Sequence, residues 1–399
     1  ISLFIYRIIN FTLYHFYLID KILNKIMFSQ KICIIGNGLA GLSTATCLSK
    51  ENIIIDLYCQ KNTSSTKNDK RTTAISESNY LFLKKELKLN ISKYFWPIKK
   101  INLYHQDNKV FSNFLNFSDN KKNLMYIFLN NLFKKDLFNS INKKNNINLI
   151  YKTVSTIDYD QGNIILGNKS IHYDLIILCL GSESKLYKKI EGGRSIKKNY
   201  KEIAITATVK TNKTINNASQ YFLDEGPLAI LPFNRNYFSL VWSVKNTLFQ
   251  NNETILKKKL YSKLKDILKN KSKIYIQNLQ SFPIHLNIKT RYYKKNILIL
   301  GDGLHSIHPM AGQGFNLVVR DIKALANLLR ENSRLGMSIE GSFILDKFYK
   351  NRNPENTIIS LGVDLTNYFF KKKKFSLPFK KMVLKNINKS LVLKKISQI

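Results

Sequence analysis

Acidic residues are scarce in this chain: 26 Asp and Glu stand against 64 Lys and Arg, leaving a formal net charge of +38. That balance invites a nucleic-acid or membrane partner. The excess comes, however, with much Asn and Ile alongside the Lys, which is what an A/T-rich coding sequence writes whatever the function. Composition is therefore taken as the main source of the charge. The aromatics form no RNA-binding motif, so nucleic acid is not an expected partner. Cysteine is scarcer still. Cys33, Cys47, Cys59 and Cys179 are the only four, none in CxxC spacing, which excludes a disulfide framework and a cysteine zinc site and fits a reduced, cytoplasmic compartment. Beyond residue 26 no apolar run is long enough to span a bilayer, and no internal repeat is visible.

What is present is 399 residues with 44% hydrophobic content, ample for a large core. Residues 1–26, ISLFIYRIINFTLYHFYLIDKILNKI, are apolar and aromatic but carry Arg7, His15, Asp20 and two lysines. A membrane anchor or signal segment is one reading. The preferred one is a non-native extension with translation starting at Met27, because no small-residue cleavage site shows and a strand begins a few residues later.

KICII (31–35), then GNGLAG, then LSTATCLSK with helical spacing, then IIIDLY (53–58) reads as strand, glycine-rich turn, helix, strand: a βαβ unit on a parallel sheet. Asn79–Leu89 and Tyr126–Ile141 read as helices, and YDLIILCLG (173–181) as another buried strand. From Ala204 to Val244 the pattern turns to β alternation, the mark of an antiparallel sheet, before NILILGDG returns to the first style.

Gly36, Gly38 and Gly41 have GxGxxG spacing between strand and helix. Gly36 permits the tight turn, Gly38 lets a pyrophosphate approach the backbone, and Gly41 lets the helix pack on the strand. The acid expected to hold a ribose at the end of the second strand is missing; Asp56 is early, and Gln60 is the weaker substitute. GDGLHSIHPMAGQGFNLVVRD (301–321) concentrates two histidines, a proline, four glycines and two aspartates. Asp302 ends a buried strand, where a carboxylate suits a ribityl or ribose hydroxyl. PMAGQGFN opens a helix whose free N–H groups suit negative charge on a flavin ring. His305 and His308 are open to a structural reading as a pair capping the turn, and with no third ligand at recognisable spacing no metal is expected.

GDGLHSIHPMAGQGFNLVVRD resembles GDAAHxxHPxxGQGxNxxxxD of the class A flavoprotein aromatic monooxygenases, and most closely the ubiquinone-biosynthesis hydroxylases that act on polyprenyl phenols. DKRTTAIS (69–76), YKEIAITATVK and EGPLAILPFNRNYFSLVWSV (from Tyr200), SFPIHL (281–286) and FYKNRN (348–353) extend the likeness from about residue 30 to about residue 370. The resemblance implies an α/β fold: a Rossmann-like FAD/NAD(P)-binding unit of p-hydroxybenzoate hydroxylase type, with an inserted antiparallel substrate sheet and C-terminal helices. The expected division is 27–185 and 291–370 for FAD binding, 186–290 for the substrate sheet and 371–399 for a basic tail. It implies FAD, NAD(P)H as reductant, and O2 taken up as a flavin C4a-hydroperoxide that hydroxylates the ring. Carried over by position, Gly36, Gly38 and Gly41 hold the pyrophosphate, Arg71 faces the flavin and Asp302 binds the ribityl chain. Pro309 lies beside the ring, Gly312, Gln313, Gly314 and Asn316 line its pyrimidine edge, and His308 is the residue to test for catalysis.

The chain departs from the pattern in LCLGSES, where the family's GADGxxS places an aspartate at the position of Leu180; Gly181 and Ser184 remain. Pyridine-nucleotide handling is thereby open. Two alternatives stay beside the main reading: a flavin monooxygenase of a small soluble aromatic, and a non-catalytic flavin-binding subunit of a quinone-synthesis complex, where other ubiquinone-synthesis proteins are partners. Lys371–Ile399 holds ten lysines, no acid and interleaved apolar residues, as an amphipathic segment on the anionic inner face of a membrane does; a lysine-rich packing helix is the alternative.

Overall fold

The computed structural model describes residues 30–60, 69–107, 110–192, 195–248, 253–269 and 273–371. The expectations for residues 1–26 and for the tail after Lys371 lie outside the described residues.

Gln30–Ile35 is the strand around which the first body is built. It pairs in parallel with Ile53–Tyr58 on one side and Leu175–Leu178 on the other. Ile147–Ile150 extends the sheet beyond the former and Ile297–Ile299 beyond the latter, both in parallel, and antiparallel Tyr293–Lys294 closes that edge. Ile32, Ile34, Ile55, Leu57, Ile176, Ile177, Leu298 and Ile299 are all fully buried. These strands are continuous apolar runs because the sheet is enclosed in one core, shared with the helix Leu39–Leu48 and with Ile157 and Ile164 of two small antiparallel strands, which leaves no side for water. Leu39–Leu48 follows the first strand directly. Gly314–Arg334 packs with it through an apolar stripe of Leu317, Val318, Ile322, Leu325 and Leu329, all buried, so the long helix is held at its inner face along its whole length.

An eight-stranded sheet forms the second body. Its order is His305–Ser306, Ile274–Lys289, Ser195–Thr211, Tyr237–Lys245, Gly226–Asn234, Ala218–Leu223, Lys100–Asp107, Val110–Ser118. All neighbours are antiparallel except Ala218–Leu223 with Lys100–Asp107. One face buries Leu228, Leu240, Trp242 and Val244 against Leu256, Leu260 and Leu264 of the helix Glu253–Ile267, three residues four apart on one helical stripe.

Two elements differ from the sequence expectation. Met125–Leu129 is a strand paired with Thr72–Ser76 and Trp96–Ile98, and the helix there runs only over Asn130–Ile141. MYIFL is aromatic and β-branched, and pairing overrides the helical spacing it shares with the next turns. Lys100–Asp107 and Val110–Ser118 lie in the sheet expected of 186–290 although they come from within 27–185. Their alternation is faint, with exposed residues on both faces of the outer strand, so no period of two stands out.

Candidate active site

The glycine turn after Gln30–Ile35 is fixed by close approach. Gly36 has φ +120°, and a Cβ on it would lie 2.2 Å from the Cys179 carbonyl oxygen; one on Gly41 would lie 1.9 Å from the oxygen of Gly36. Gly36 N donates to the Tyr58 carbonyl at 3.0 Å, tying the turn to the second strand. Gly38 is different: it is exposed, and a Cβ there would meet nothing within 4 Å. It stands at the N-terminus of Leu39–Leu48, which has no side-chain cap and no acid in its first turn. Open space thus faces an uncapped, partially positive helix end, which suits a phosphate. Gln60 lies exposed at the end of the second strand, its carbonyl accepting from Asn37 Nδ2 at 3.3 Å. Asp56 is committed elsewhere. It pairs with Lys31 at 2.8 Å and accepts from Asn148 at 2.8 Å and the Tyr173 hydroxyl at 2.7 Å. Burial would raise its carboxyl, but those three partners hold it below the ordinary range.

Asp302 sits in the short turn Gly301–Gly303 that ends Ile297–Ile299. Gly301 has φ +86° and would place a Cβ 2.9 Å from that of Ala40, so this turn rests on the first turn of the glycine-loop helix. The Asp302 side chain is exposed and, among the described residues, has no hydrogen-bond partner. The protein crowds it on the other sides, and this desolvation pushes its carboxyl up from the ordinary value against the opposing pull of His305 and Arg71. Reachable and yet desolvated, it lies by the first turn of the glycine-loop helix, and the space it borders there is the candidate cleft. Arg71 is on the opposite wall: it pairs with Asp69 at 2.7 Å and its guanidinium lies 5.0 Å from the Phe282 ring centroid, on a strand of the second body.

The turn after His305–Ser306 completes the cleft. Pro309 is half-buried and starts the single turn Met310–Gly312. Gly312 has φ +62° and a Cβ on it would touch that of Ala74 at 3.0 Å, so the turn lies against Thr72–Ser76. The Gln313 carbonyl accepts from Leu317 N at 3.2 Å as the helix begins. Gly314 opens that helix, with nothing within 4 Å of where its Cβ would be. Asn316, expected along a ring edge, is buried and used up internally. Its Oδ1 accepts from Ser76 N at 2.8 Å and Asn79 Nδ2 at 2.7 Å, and its Nδ2 donates to the Ala74 and Gly312 carbonyls at 3.2 and 3.1 Å. It positions the turn from behind. His308 does likewise: Nδ1 accepts from Met310 N at 3.1 Å and Nε2–H faces Glu202 at 3.4 Å. Burial pushes this imidazole below its ordinary value, and neither nitrogen is offered to the cleft. Gly181 has φ +79° with open space around it, while Leu180 packs on the main core and donates its N–H to the Tyr187 hydroxyl at 3.0 Å.

Two participants stand inside the quoted likenesses but were given no role from the sequence. Asp321 is fully buried and accepts from His305 Nε2 at 2.7 Å, Arg352 Nε at 2.7 Å and Asn356 Nδ2 at 3.0 Å. Burial opposes its ionisation, but the His305 and Arg352 contacts hold its carboxyl low. The available signal was its place as the aspartate that closes GDGLHSIHPMAGQGFNLVVRD, next to the inward Ile322. Glu202 lies within YKEIAITATVK, but nothing in that stretch sets it apart, since a charge on a sheet strand usually faces water.

The fold is that of the FAD-dependent monooxygenases of p-hydroxybenzoate hydroxylase type. It is shared with p-nitrophenol 4-monooxygenase PnpA from Pseudomonas putida DLL-E4, at a TM-score of 0.74 and 15% identity over 92% of this chain and 97% of that one. It is shared too with Klebsiella pneumoniae HpxO, solved with FAD and uric acid, at 0.70 and 16% over 93% and 97%. Residues 161–337 match the family described as FAD binding domain. In sequence the chain is 26% identical over 326 residues to the mitochondrial ubiquinone biosynthesis monooxygenase COQ6 of Dictyostelium discoideum, covering 67% of this chain and 65% of that protein. The likeness to ubiquinone-biosynthesis hydroxylases that the motifs carried is thereby borne out. The chain spans about half to two thirds of the length of the first curated relatives it matches.

Proposed function

We propose that this chain binds FAD in the cleft and hydroxylates the aromatic ring of a polyprenyl phenol in ubiquinone synthesis, with O2 and NAD(P)H as co-substrates. The observation that carries the reading is Asp302: an accessible carboxylate without a partner, set between an uncapped helix end and Arg71. The residues fit the cofactor. Gly38 leaves room for its pyrophosphate while Gly36 and Gly41 let the turn close against the strand and helix, Asp302 accepts from ribityl hydroxyls, and Pro309, Gly312, Gln313 and Gly314 border its ring. Bound FAD, once reduced, supplies the oxygen-activating chemistry. The protein's part is to orient the phenol beneath the eight-stranded sheet and to keep water out. Asn316 and His308 act from behind by fixing the turn.

Purified full-length protein should be yellow or turn yellow with added FAD. A chain that stays colourless overturns the reading. Quinone profiles of a deletion strain complemented with wild type should recover the hydroxylated product, and complementation by Asp302→Ala should fail.

Leu180 favours one second reading. Its side chain is committed to the core, so no acid stands where the relatives' motif places one, as in a flavin-binding subunit that has lost its own reductase step. NADPH oxidation by the purified holoprotein separates the two.

We further place the protein at an anionic membrane surface, beside other ubiquinone-synthesis proteins. Among the described residues no helix is long and apolar enough to cross a membrane. The outer face of Ser342–Lys371 nevertheless exposes Ile358, Leu361, Leu365 and Tyr368, a stripe at helical spacing that runs into the lysine-rich tail.

A further inference from the structure

The strand Ser195–Thr211 breaks its ladder at one place. Asn199 pairs with His285 and Glu202 with the next residue, Ile284, so Tyr200 and Lys201 are inserted without partners. Lys201 takes φ +53° there, a left-handed conformation that a lysine adopts only when its surroundings impose it. Bulges of this kind re-aim side chains, and this one aims two at the end of the C-terminal helix. The Tyr200 hydroxyl donates to Asp364 at 2.7 Å, where Lys198 also binds at 2.8 Å. Glu202 receives Lys371 of the same helix and, on its other side, Nε2–H of His308. The Tyr200 ring stands edge-on to the imidazole at 5.4 Å. Among the described residues the charged groups acting on His308 are Glu202 from the strand and Lys371 and Asp364 from the helix.

The arrangement dictates one tautomer. Met310 N–H points at Nδ1, so Nδ1 must keep its lone pair and the proton must sit on Nε2. Glu202 accepts that proton. Met310 follows Pro309, so whatever holds His308 holds the turn that borders the cleft.

We propose that Glu202 is a positioning residue: it selects the His308 tautomer that fixes the turn at Pro309, and its pairing with Lys371 makes that turn depend on docking of the C-terminal helix. The inference rests on the reading that the cleft binds FAD. It adds a control point that acts through His308 instead of touching the cofactor, in a residue to which the sequence reading gave no role.

The test uses full-length protein as wild type, Glu202→Gln, Glu202→Ala and Lys371→Met. FAD affinity is read from quenching of flavin fluorescence, the ring environment from the flavin absorption bands, and folding from thermal melts. Selective 15N labelling of histidine, of which the chain has six, reports the His308 tautomer without any flavin, with His308→Gln assigning the signal. Glu202→Gln keeps an acceptor for Nε2–H and should stay within about threefold of wild-type affinity, whereas Glu202→Ala should weaken FAD by about tenfold or more, change the flavin bands and release the tautomer. Lys371→Met should fall between them. A Glu202→Ala protein that melts earlier but binds FAD with wild-type affinity, bands and tautomer overturns the inference and leaves Glu202 a fold support only. Should Glu202→Ala not fold, Lys371→Met decides: unchanged affinity and bands overturn the inference. A wild-type chain that binds no FAD overturns the functional reading and this one together; binding by wild type with no response in the variants overturns this one alone.

Discussion

Asp302 couples binding to instability. Desolvation raises its carboxyl, so keeping it ionised at neutral pH costs the ligand-free fold; a raised carboxyl contributes stability only at low pH, and that is lost as pH rises through the folded value. Asp302→Asn should therefore melt higher than wild type when free of ligand and bind FAD at least about tenfold more weakly, a crossing of effects that differential scanning with and without FAD would reveal. Equal shifts of both quantities in one direction would contradict it. Asn316 offers the opposite case. Removing its amide leaves Ser76 N and the Ala74 and Gly312 carbonyls without it in a buried place, and leaves Asn79 Nδ2 only the Asn316 backbone carbonyl at 3.2 Å, so Asn316→Ala should cost about 2–4 kcal/mol by urea denaturation. The two residues stand in one quoted stretch and look alike as polar letters. Spacing shows that both matter. Which one faces the cleft and which holds it from behind depends on Thr72–Ser76, over two hundred residues away in sequence, and no local pattern carries that.

At the scale of elements, legibility follows the strength of the period. The βαβ start, the strand before Gly181 and the helix after Gly314 are plain in the sequence because parallel strands are unbroken apolar runs and the helix has a sharp inward stripe. Lys100–Ser118 is not, since its strands are wetted on both sides. Gly36 and Gly41 are legible for a different reason: backbone passes within a Cβ's reach of each, and only glycine tolerates that. Gly41→Ala should consequently fail to fold or lose most of its stability, checked by soluble yield and circular dichroism. The C-terminal helix illustrates a period pointing the wrong way. Its exposed Ile358, Leu361, Leu365 and Tyr368 predict that the doubly substituted Leu361→Asp, Leu365→Asp protein floats less with phosphatidylglycerol vesicles than wild type while its melting temperature holds. Unchanged flotation would assign membrane contact to the lysines alone, and loss of a dimer by light scattering would assign the stripe to a second copy.

For the whole molecule, acid sensitivity follows from His308. Its imidazole is held below the ordinary value, so the fold favours the neutral form; that contribution is complete above about pH 6.5, falls as pH drops below it and levels off past the folded value. Glu202 and Asp321, held low by their partners, add a further loss only below about pH 4. Urea midpoints should accordingly decline between about pH 6.5 and 5 in wild type and decline less in His308→Gln; parallel curves would remove His308 as the cause.

The central sheet brings together Ile32 with Leu175, and Leu178 with Ile299. On the ribosome this has a temporal meaning. Once made, the strand Gln30–Ile35 waits for more than a hundred residues before its inner neighbour is made, and the edge at Leu175–Leu178 waits as long again for Ile297–Ile299. During synthesis two largely apolar strand edges are therefore open to any passing chain, and the cleft exists only after the helix Gly314–Arg334 has left the tunnel. Those edges need shielding over that interval, and a cofactor held in the cleft would arrive as the last component, never as a template for the first.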